Sequence, residues 1–193
     1  MNFEVLRLNG NEARAYVNEL ADLRLKVFWD YPYLYEGTHE YEVKYLETYF
    51  SAQNSFVLIV KDQGKVIGAT TGIWAKEEEE ALRKPFLIHG LDPAVIFYFG
   101  ESVLLKEYRG KGIGKLFFEE REKFARSLVF IELLSFCAVI RDEAPPADYR
   151  PLDEFWKSQG FLPEAGLIAQ YAWPDRGQTE NTEKTMQYWL KKL

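Results

Sequence analysis

The stretch 108-YRGKGIGKLFFEERE-122 sets Gly110, Gly112 and Gly114 at alternate positions between Arg109 and Lys115, ahead of a run of helix formers. The β-prone run 94-AVIFYFGESVLL-105 leads straight into it. A strand, a loop of spare backbone N–H groups and a helix N-terminus aimed at one point bind a phosphate, because unpaired amides donate and the helix dipole favours negative charge. Glycines remove the side chains that would block close approach. Arg109, Lys111 and Lys115 can add charge-assisted contacts. The alternative is a glycine-rich turn that binds nothing. Two other glycine motifs fail. A P-loop needs glycine where Arg109 stands and Ser or Thr where Leu116 stands. A dinucleotide fingerprint needs glycine at Lys115 and an early βαβ unit, whereas this loop lies past the middle of the chain.

Other reactive residue types offer less. His39 and His89 lie far apart with no metal-ligand spacing nearby, so surface or packing roles are expected and no metal site. No Gly-x-Ser-x-Gly elbow occurs; Gly100-Glu101-Ser102 is followed by Val103. Cys137, the one cysteine, sits in the apolar run 133-LLSFCAVI-140 and is read as a buried inert thiol. Trp29, Tyr31, Tyr33 and Tyr35 surround one loop, 31-YPYLYEGTHEYE-42, and either line a substrate site or cover the core. Asp30 and Glu36 beside them can attract a cationic amine.

These groups need a frame. At 193 residues, 47% apolar and 28% charged, the chain suits a single globular domain over 1–193. A net charge of -6 argues against broad attraction to nucleic acid or an anionic membrane. A single cysteine can form no internal disulfide and fits a reducing compartment. The first residues, 1-MNFEVLRLNGNEARAY-16, lack a signal-peptide layout, and no apolar run approaches membrane-spanning length, so a cytoplasmic protein is expected.

Periodicity supplies the elements. The run 3-FEVLRL-8 alternates as a strand does. Ala13, Val17, Leu20, Ala21, Leu23, Val27 and Phe28 recur at helical spacing, with Asn9 or Asn11 as cap and a stop near Asp30 before Pro32. A second amphipathic helix is expected around 40-EYEVKYLETYF-50. A hairpin joins 55-SFVLIVK-61 and 66-VIGATTGIWA-75 through 62-DQGK-65. Residues 76–93 read as an irregular insertion, its acidic run 77-EEEE-80 as solvated. After the glycine loop come a helix carrying Ile113, Leu116, Phe117, Phe124 and Leu128, a strand at 130–140, and a proline-bearing loop, 142-DEAPPADYRP-151. A short helix, 151-PLDEFWKSQ-159, stops at Gly160, and two last strands are 166-GLIAQYAW-173 and 186-MQYWLKK-192. This order describes an α/β (α+β) mixed sheet with helices on both faces.

The motif 109-RGKGIG-114 resembles the Arg/Gln-x-x-Gly-x-Gly/Ala loop of the GNAT superfamily, the acyl-CoA-dependent N-acyltransferases. The strand 101-ESVLLKEY-108 resembles that family's fourth strand, and 154-EFWKSQGF-161 its Phe-Tyr-x-x-x-Gly-Phe helix end. The element order agrees over essentially the whole chain. The resemblance implies a GNAT fold, a sheet of about seven strands with strands 4 and 5 splayed, and acetyl-CoA as co-substrate. The backbone amides of Gly110, Lys111, Gly112, Ile113, Gly114 and Lys115 would take the pyrophosphate. The pantetheine arm would pair with main-chain groups near Val103 and Leu105, with Phe155 and Trp156 beside it. An amide freed by a bulge near Val103 or Leu104 would polarise the thioester carbonyl.

Acylating an amine requires its deprotonation, since its solution pKa is about 10. Glu101, in the apolar stretch 97-FYFGESVLL-105, is the candidate base. The family's tyrosine acid is replaced here by Trp156, whose indole cannot serve as a general acid; Tyr149 is the candidate substitute, and water the alternative. The expected activity is acetyl transfer from acetyl-CoA to a primary amine, most simply of a small molecule. A non-catalytic acyl-CoA sensor and an ATP-binding enzyme are the rivals, and a homodimer through exposed edge strands is compatible with the pattern.

Overall fold

The hairpin at 62-DQGK-65 illustrates how directly local chemistry sets this chain. In the computed structural model, which describes residues 3–193, β2 (Ser55–Asp62) and β3 (Lys65–Trp74) meet across Gln63 and Gly64. Both sit at positive φ, 49° and 81°, as a tight two-residue hairpin turn requires. β1 (Glu4–Leu8) adds to the other edge of β2, antiparallel. β4 (Ile96–Leu104) then pairs antiparallel with β3. The sheet continues through β5 (Leu133–Val139) and the hairpin of β6 (Leu162–Pro174) and β7 (Asn181–Lys192), in the order β1-β2-β3-β4-β5-β7-β6.

The one parallel contact lies between β4 and β5, the connection that crosses over through a helix. It spans only Ile96↔Leu133, Phe97↔Leu134 and Tyr98↔Ser135, and beyond these pairs the strands part. This is the expected splay of strands 4 and 5.

Helices cover both faces, and β4 separates them by alternation. Phe97 and Phe99 meet Phe124 and Phe118 of α5 (Ile113–Ser127). Ile96 and Tyr98 belong to a second cluster with Tyr49 of α3 (His39–Ser51) and Phe86 of α4 (Glu80–Ile88). The expected first helix is broken in two. Asn9 caps α1 (Gly10–Ala13) through a reciprocal box with Glu12, a single tight turn follows, and α2 (Val17–Phe28) then runs to the expected stop. The supposed irregular insertion holds α4, with Pro85 inside it. Its apolar residues Leu82 and Phe86 fall one turn apart and are buried, a helical spacing that the reading of 76–93 as irregular overlooks. α6 (Asp153–Ser158) ends before Gly160, whose φ of 87° suits a helix stop.

β4 carries a bulge: Thr70 faces Ser102 and Gly72 faces Phe99, so Thr71 alone opposes Gly100 and Glu101. Arg121 of α5 fixes it from behind. Its guanidinium, 2% exposed and without a carboxylate partner among the salt bridges of the described residues, donates to the carbonyls of Thr71 and Glu101 and to Ser102 Oγ. It also lies 4.0 Å over the Phe99 ring. Burial pulls its pKa down to about 9, still above neutrality. An ammonium cannot reproduce that planar fork, so Arg121→Lys is expected to cost about 1–3 kcal/mol. The check is a lower urea midpoint at unchanged slope.

Candidate active site

The glycine loop has the geometry of an open backbone cradle. A short turn, Lys106–Tyr108, drops from β4, and Gly110 and Gly112 take positive φ of 74° and 84°. Nothing lies within 4 Å of a side chain built at either, so these glycines serve backbone conformation and leave the surface bare. Gly112 begins α5 without a side-chain cap, which leaves the first helical amides to whatever arrives. Arg109, Lys111 and Lys115 are exposed around it, Lys111 lying 4.8 Å over the Tyr108 ring and Lys115 3.5 Å from Glu119. Ile113 is buried against the core. Phe155 reaches within 3.7 Å of a side chain built at Gly114, so α6 stands against the loop. Trp156 points away from that duty, packed with Phe136 and Trp189 at 5.1 and 5.0 Å.

Two expectations for β4 need correction. The bulge lies at Gly100 and Glu101, not near Val103 or Leu104. The Leu105 amide donates to the Ile67 carbonyl and the Leu105 carbonyl accepts from Tyr108, so Leu105 has no main-chain group to offer. By alternation Val103 also turns its main chain to β3, while Ser102 and Leu104 turn theirs toward the cleft beside β5.

On the opposite side of the parting strands is a cavity of about 380 Å³. Gly100 and Glu101 of β4 and Cys137 of β5 line it, just past the last β4–β5 pair. Tyr33 and Tyr35 line it, with Tyr45, Tyr98 and Trp173 completing a wall of rings. Trp29 and Tyr31 do not: Trp29 lies under the Arg176 guanidinium at 5.5 Å, and Tyr31 packs on Tyr149 at 4.6 Å. Tyr149 is half-buried, its pKa raised by burial and by Tyr31 and Asp153 while Arg109 pulls it down.

Sequence reasoning missed the charges of this cavity. Arg24 of α2 and Glu42 of α3, both buried, form an ion pair, and Arg24 Nη1 stands 2.7 Å from Glu101 Oε2. That second contact is not aligned as a hydrogen bond, so both atoms keep unused bonding capacity. Burial opposes the Arg24 charge, but Glu101 and Glu42 more than offset it and hold its pKa above the ordinary value. Tyr33 is pushed up by burial; Cys137, expected to be buried, is half-buried in the cavity wall, where desolvation raises its thiol to about 12. Glu78, inside the acidic run read as solvated, is 6% exposed and accepts from the Tyr49 hydroxyl at 2.6 Å. The available signal was a polar residue on an apolar stripe: Glu42, Tyr45 and Tyr49 share one face of α3, as Arg24 shares the Leu20 face of α2. His39 and His89 remain outside the cavity, 3.6 Å from Asp22 and 3.3 Å from Glu164.

The profile of the acetyltransferase (GNAT) family matches residues 24–161. The chain belongs to that family. No curated protein matches it in sequence. Solved structures resemble it in fold at low identity. The ribosomal-protein-alanine N-acetyltransferase from Brucella melitensis is 14% identical with a TM-score of 0.62, over 98% of this chain and 99% of that one. The Salmonella typhimurium protein yncA, solved with its cofactor acetyl-CoA, is 11% identical with a TM-score of 0.61, over 99% and 94%. A GNAT acetyltransferase from Streptococcus pneumoniae is 16% identical with a TM-score of 0.59, over the full length of both chains. Among the described residues no group of three or more side chains is placed to hold a metal, and no helix is long and apolar enough to cross a membrane.

Removing Arg24 strands two buried carboxylates. Arg24→Met is expected to cost about 3–5 kcal/mol, the penalty of breaking a buried ion pair from one side. Denaturant unfolding near neutral pH measures it.

Proposed function

We propose that the protein moves an acetyl group from acetyl-CoA to the primary amine of a small cationic molecule that carries no carboxylate. One observation carries the reading: the parting of β4 and β5 has the glycine loop at its donor end and the ring-lined acidic cavity at the other. In this reading the amides from Gly110 to Lys115 hold the pyrophosphate and Phe155 flanks it. The cleft-facing main chain of Ser102 and Leu104 pairs with the pantetheine arm. The thioester then enters the parting, and the acceptor amine meets it from the cavity, so alignment supplies much of the rate.

The charge balance of the cavity supports the acceptor class. Its wall holds Glu36, Glu42, Glu78, Glu79 and Glu101, and among the described lining residues Arg24 is the one cation. Arg24 is already engaged by Glu42 and Glu101. A second buried cation nearby, Lys184, is bound to Asp175 and to main-chain carbonyls. An ammonium group is welcome in such a site; an incoming carboxylate meets a wall in which five carboxylates outnumber one arginine. Rings of Tyr33, Tyr45 and Trp173 suit an apolar or aromatic body and add cation–π attraction.

Acetyl-CoA turnover, followed by thiol release, tests the reading with matched acceptors: 2-phenylethylamine against phenylalanine. The amine is expected to exceed the amino acid in kcat/KM by at least about a hundredfold, since like charges about 4 Å apart at a partly buried site repel by several kcal/mol. Equal turnover removes the acceptor class, and no transfer to any amine removes the enzyme reading.

Tyr149, packed on Tyr31 and under the influence of the Arg109 charge, is the proposed proton donor to the departing thiolate. Tyr149→Phe is expected to lower kcat about tenfold or more without weakening CoA binding. Unchanged kinetics would assign that proton to solvent.

A further inference from the structure

The geometry points to Glu78 as the final acceptor of the amine's proton, reached through the hydroxyls of Tyr45 and Tyr49. This rests on the transfer reading above and adds to it a base that lies outside β4. The Tyr45 and Tyr49 hydroxyl oxygens are 3.1 Å apart, and Tyr49 donates to Glu78 Oε1 at 2.6 Å. Because Tyr49 commits its hydrogen to Glu78, Tyr45 donates to Tyr49, and the chain of hydrogen bonds has one direction. The Glu79 amide donates to the remaining oxygen of Glu78 at 3.1 Å.

Both ends of this wire reach the cavity, since Tyr45 and Glu78 each form part of its wall. The head lies at the reacting end. Arg24 sits 4.1 Å over the Tyr45 ring and 2.7 Å from Glu101, which borders the parting of the strands. The middle is built into the sheet. A side chain at Gly100 would stand 2.3 Å from the Tyr49 hydroxyl and 2.5 Å from Thr71 Oγ1, so the bulge leaves bare backbone where the hydroxyl passes.

The surroundings raise the proton affinity of Glu78 above that of an ordinary carboxylate. Glu78 is faced by Tyr45 and Tyr49 from α3, Glu101 from β4, Cys137 from β5, and Tyr171 and Tyr188 from the β6–β7 hairpin. Burial raises its pKa, the bonds from Tyr49 and Glu79 pull back, and the carboxylates of Glu101 and Glu79 add to the rise. Burial also lifts Tyr45 and Tyr49 well above the ordinary phenol, so they stay protonated and act as conduits. Glu101 is differently placed, its charge engaged by Arg24.

The step balances as follows. One ammonium proton passes to the Tyr45 oxygen as Tyr45 passes its own to Tyr49 and Tyr49 to Glu78. The freed lone pair forms the C–N bond at the acetyl carbonyl, and the C–S bond of acetyl-CoA breaks. The nitrogen loses its second proton, the departing sulfur gains one, and Glu78 releases the remaining one to solvent.

The test compares wild type, Glu78→Gln, Tyr49→Phe and Glu101→Gln with acetyl-CoA and 2-phenylethylamine from about pH 6 to about pH 10, where the amine itself deprotonates. Near pH 7, Glu78→Gln is expected to lower kcat about a hundredfold and Tyr49→Phe at least about tenfold, with KM for acetyl-CoA unchanged. Both deficits are expected to shrink with rising pH, because solution then supplies the neutral amine. Thermal unfolding checks that each variant is folded; if Glu78→Gln is not, Tyr49→Phe, which keeps the ring, decides. A Glu78→Gln enzyme within about threefold of wild type at pH 7, a deficit independent of pH, or alkaline recovery in Glu101→Gln alone overturns the relay and leaves the transferase reading standing. A wild type that acetylates no amine overturns both.

Discussion

Ile96↔Leu133, Phe97↔Leu134 and Tyr98↔Ser135 hold the two halves of this sheet together, and the rest of the molecule is arranged around how briefly they do so. On one side lie β1 to β4, on the other β5, β7 and β6. Past Tyr98, β4 loses its parallel neighbour but keeps β3, so its other edge is left unpaired. An unpaired strand edge inside a protein is a standing offer of hydrogen bonds. Here that edge runs directly into the glycine loop, so the cleft-facing main chain of Ser102 and Leu104 leads on to the bare backbone of Gly110 and Gly112.

Holding such an edge open needs support from both faces. Behind it, Arg121 spends its donors on the carbonyls of the bulge and stacks on Phe99 and Phe118. In front, Arg24 bridges α2, α3 and β4 through Glu42 and Glu101. The two guanidiniums differ in what they neutralise. Arg24 consumes negative charge and still leaves the cavity acidic; Arg121 bonds no carboxylate and is held by carbonyls, the Ser102 hydroxyl and ring faces. Buried charges of this kind contribute little net stability and tend to fix one arrangement among several.

Much of this was legible in the letters. The loop, the splay, the hairpin through 62-DQGK-65 and the stop after α2 all follow from spacing, turn chemistry or family resemblance. What escaped depends on long-range packing. The acidic run looked solvated because four consecutive glutamates usually are, yet Glu78 turns inward while Glu79 and Glu80 stay exposed. The insertion was read as irregular, and what orders it is long-range: Leu82 and Phe86 found an apolar neighbour in Tyr188 and its cluster. The bulge was misplaced by three residues because nothing in 97-FYFGESVLL-105 marks where Thr71 will face two partners. Trp29 and Tyr31 looked equivalent to Tyr33 and Tyr35, and only the return of the β6–β7 hairpin, with Trp173 6.0 Å from Tyr33, separates them.

The indole of Trp156 has a mechanical side. Its ring is wedged between Phe136 of β5 and Trp189 of β7, while its neighbour Phe155 abuts both Gly114 and Phe118. One short helix thus rivets the first turn of α5 to the far half of the sheet. Any outward drift of the terminal hairpin must be absorbed by that stack of rings before it can loosen the bend at the head of α5.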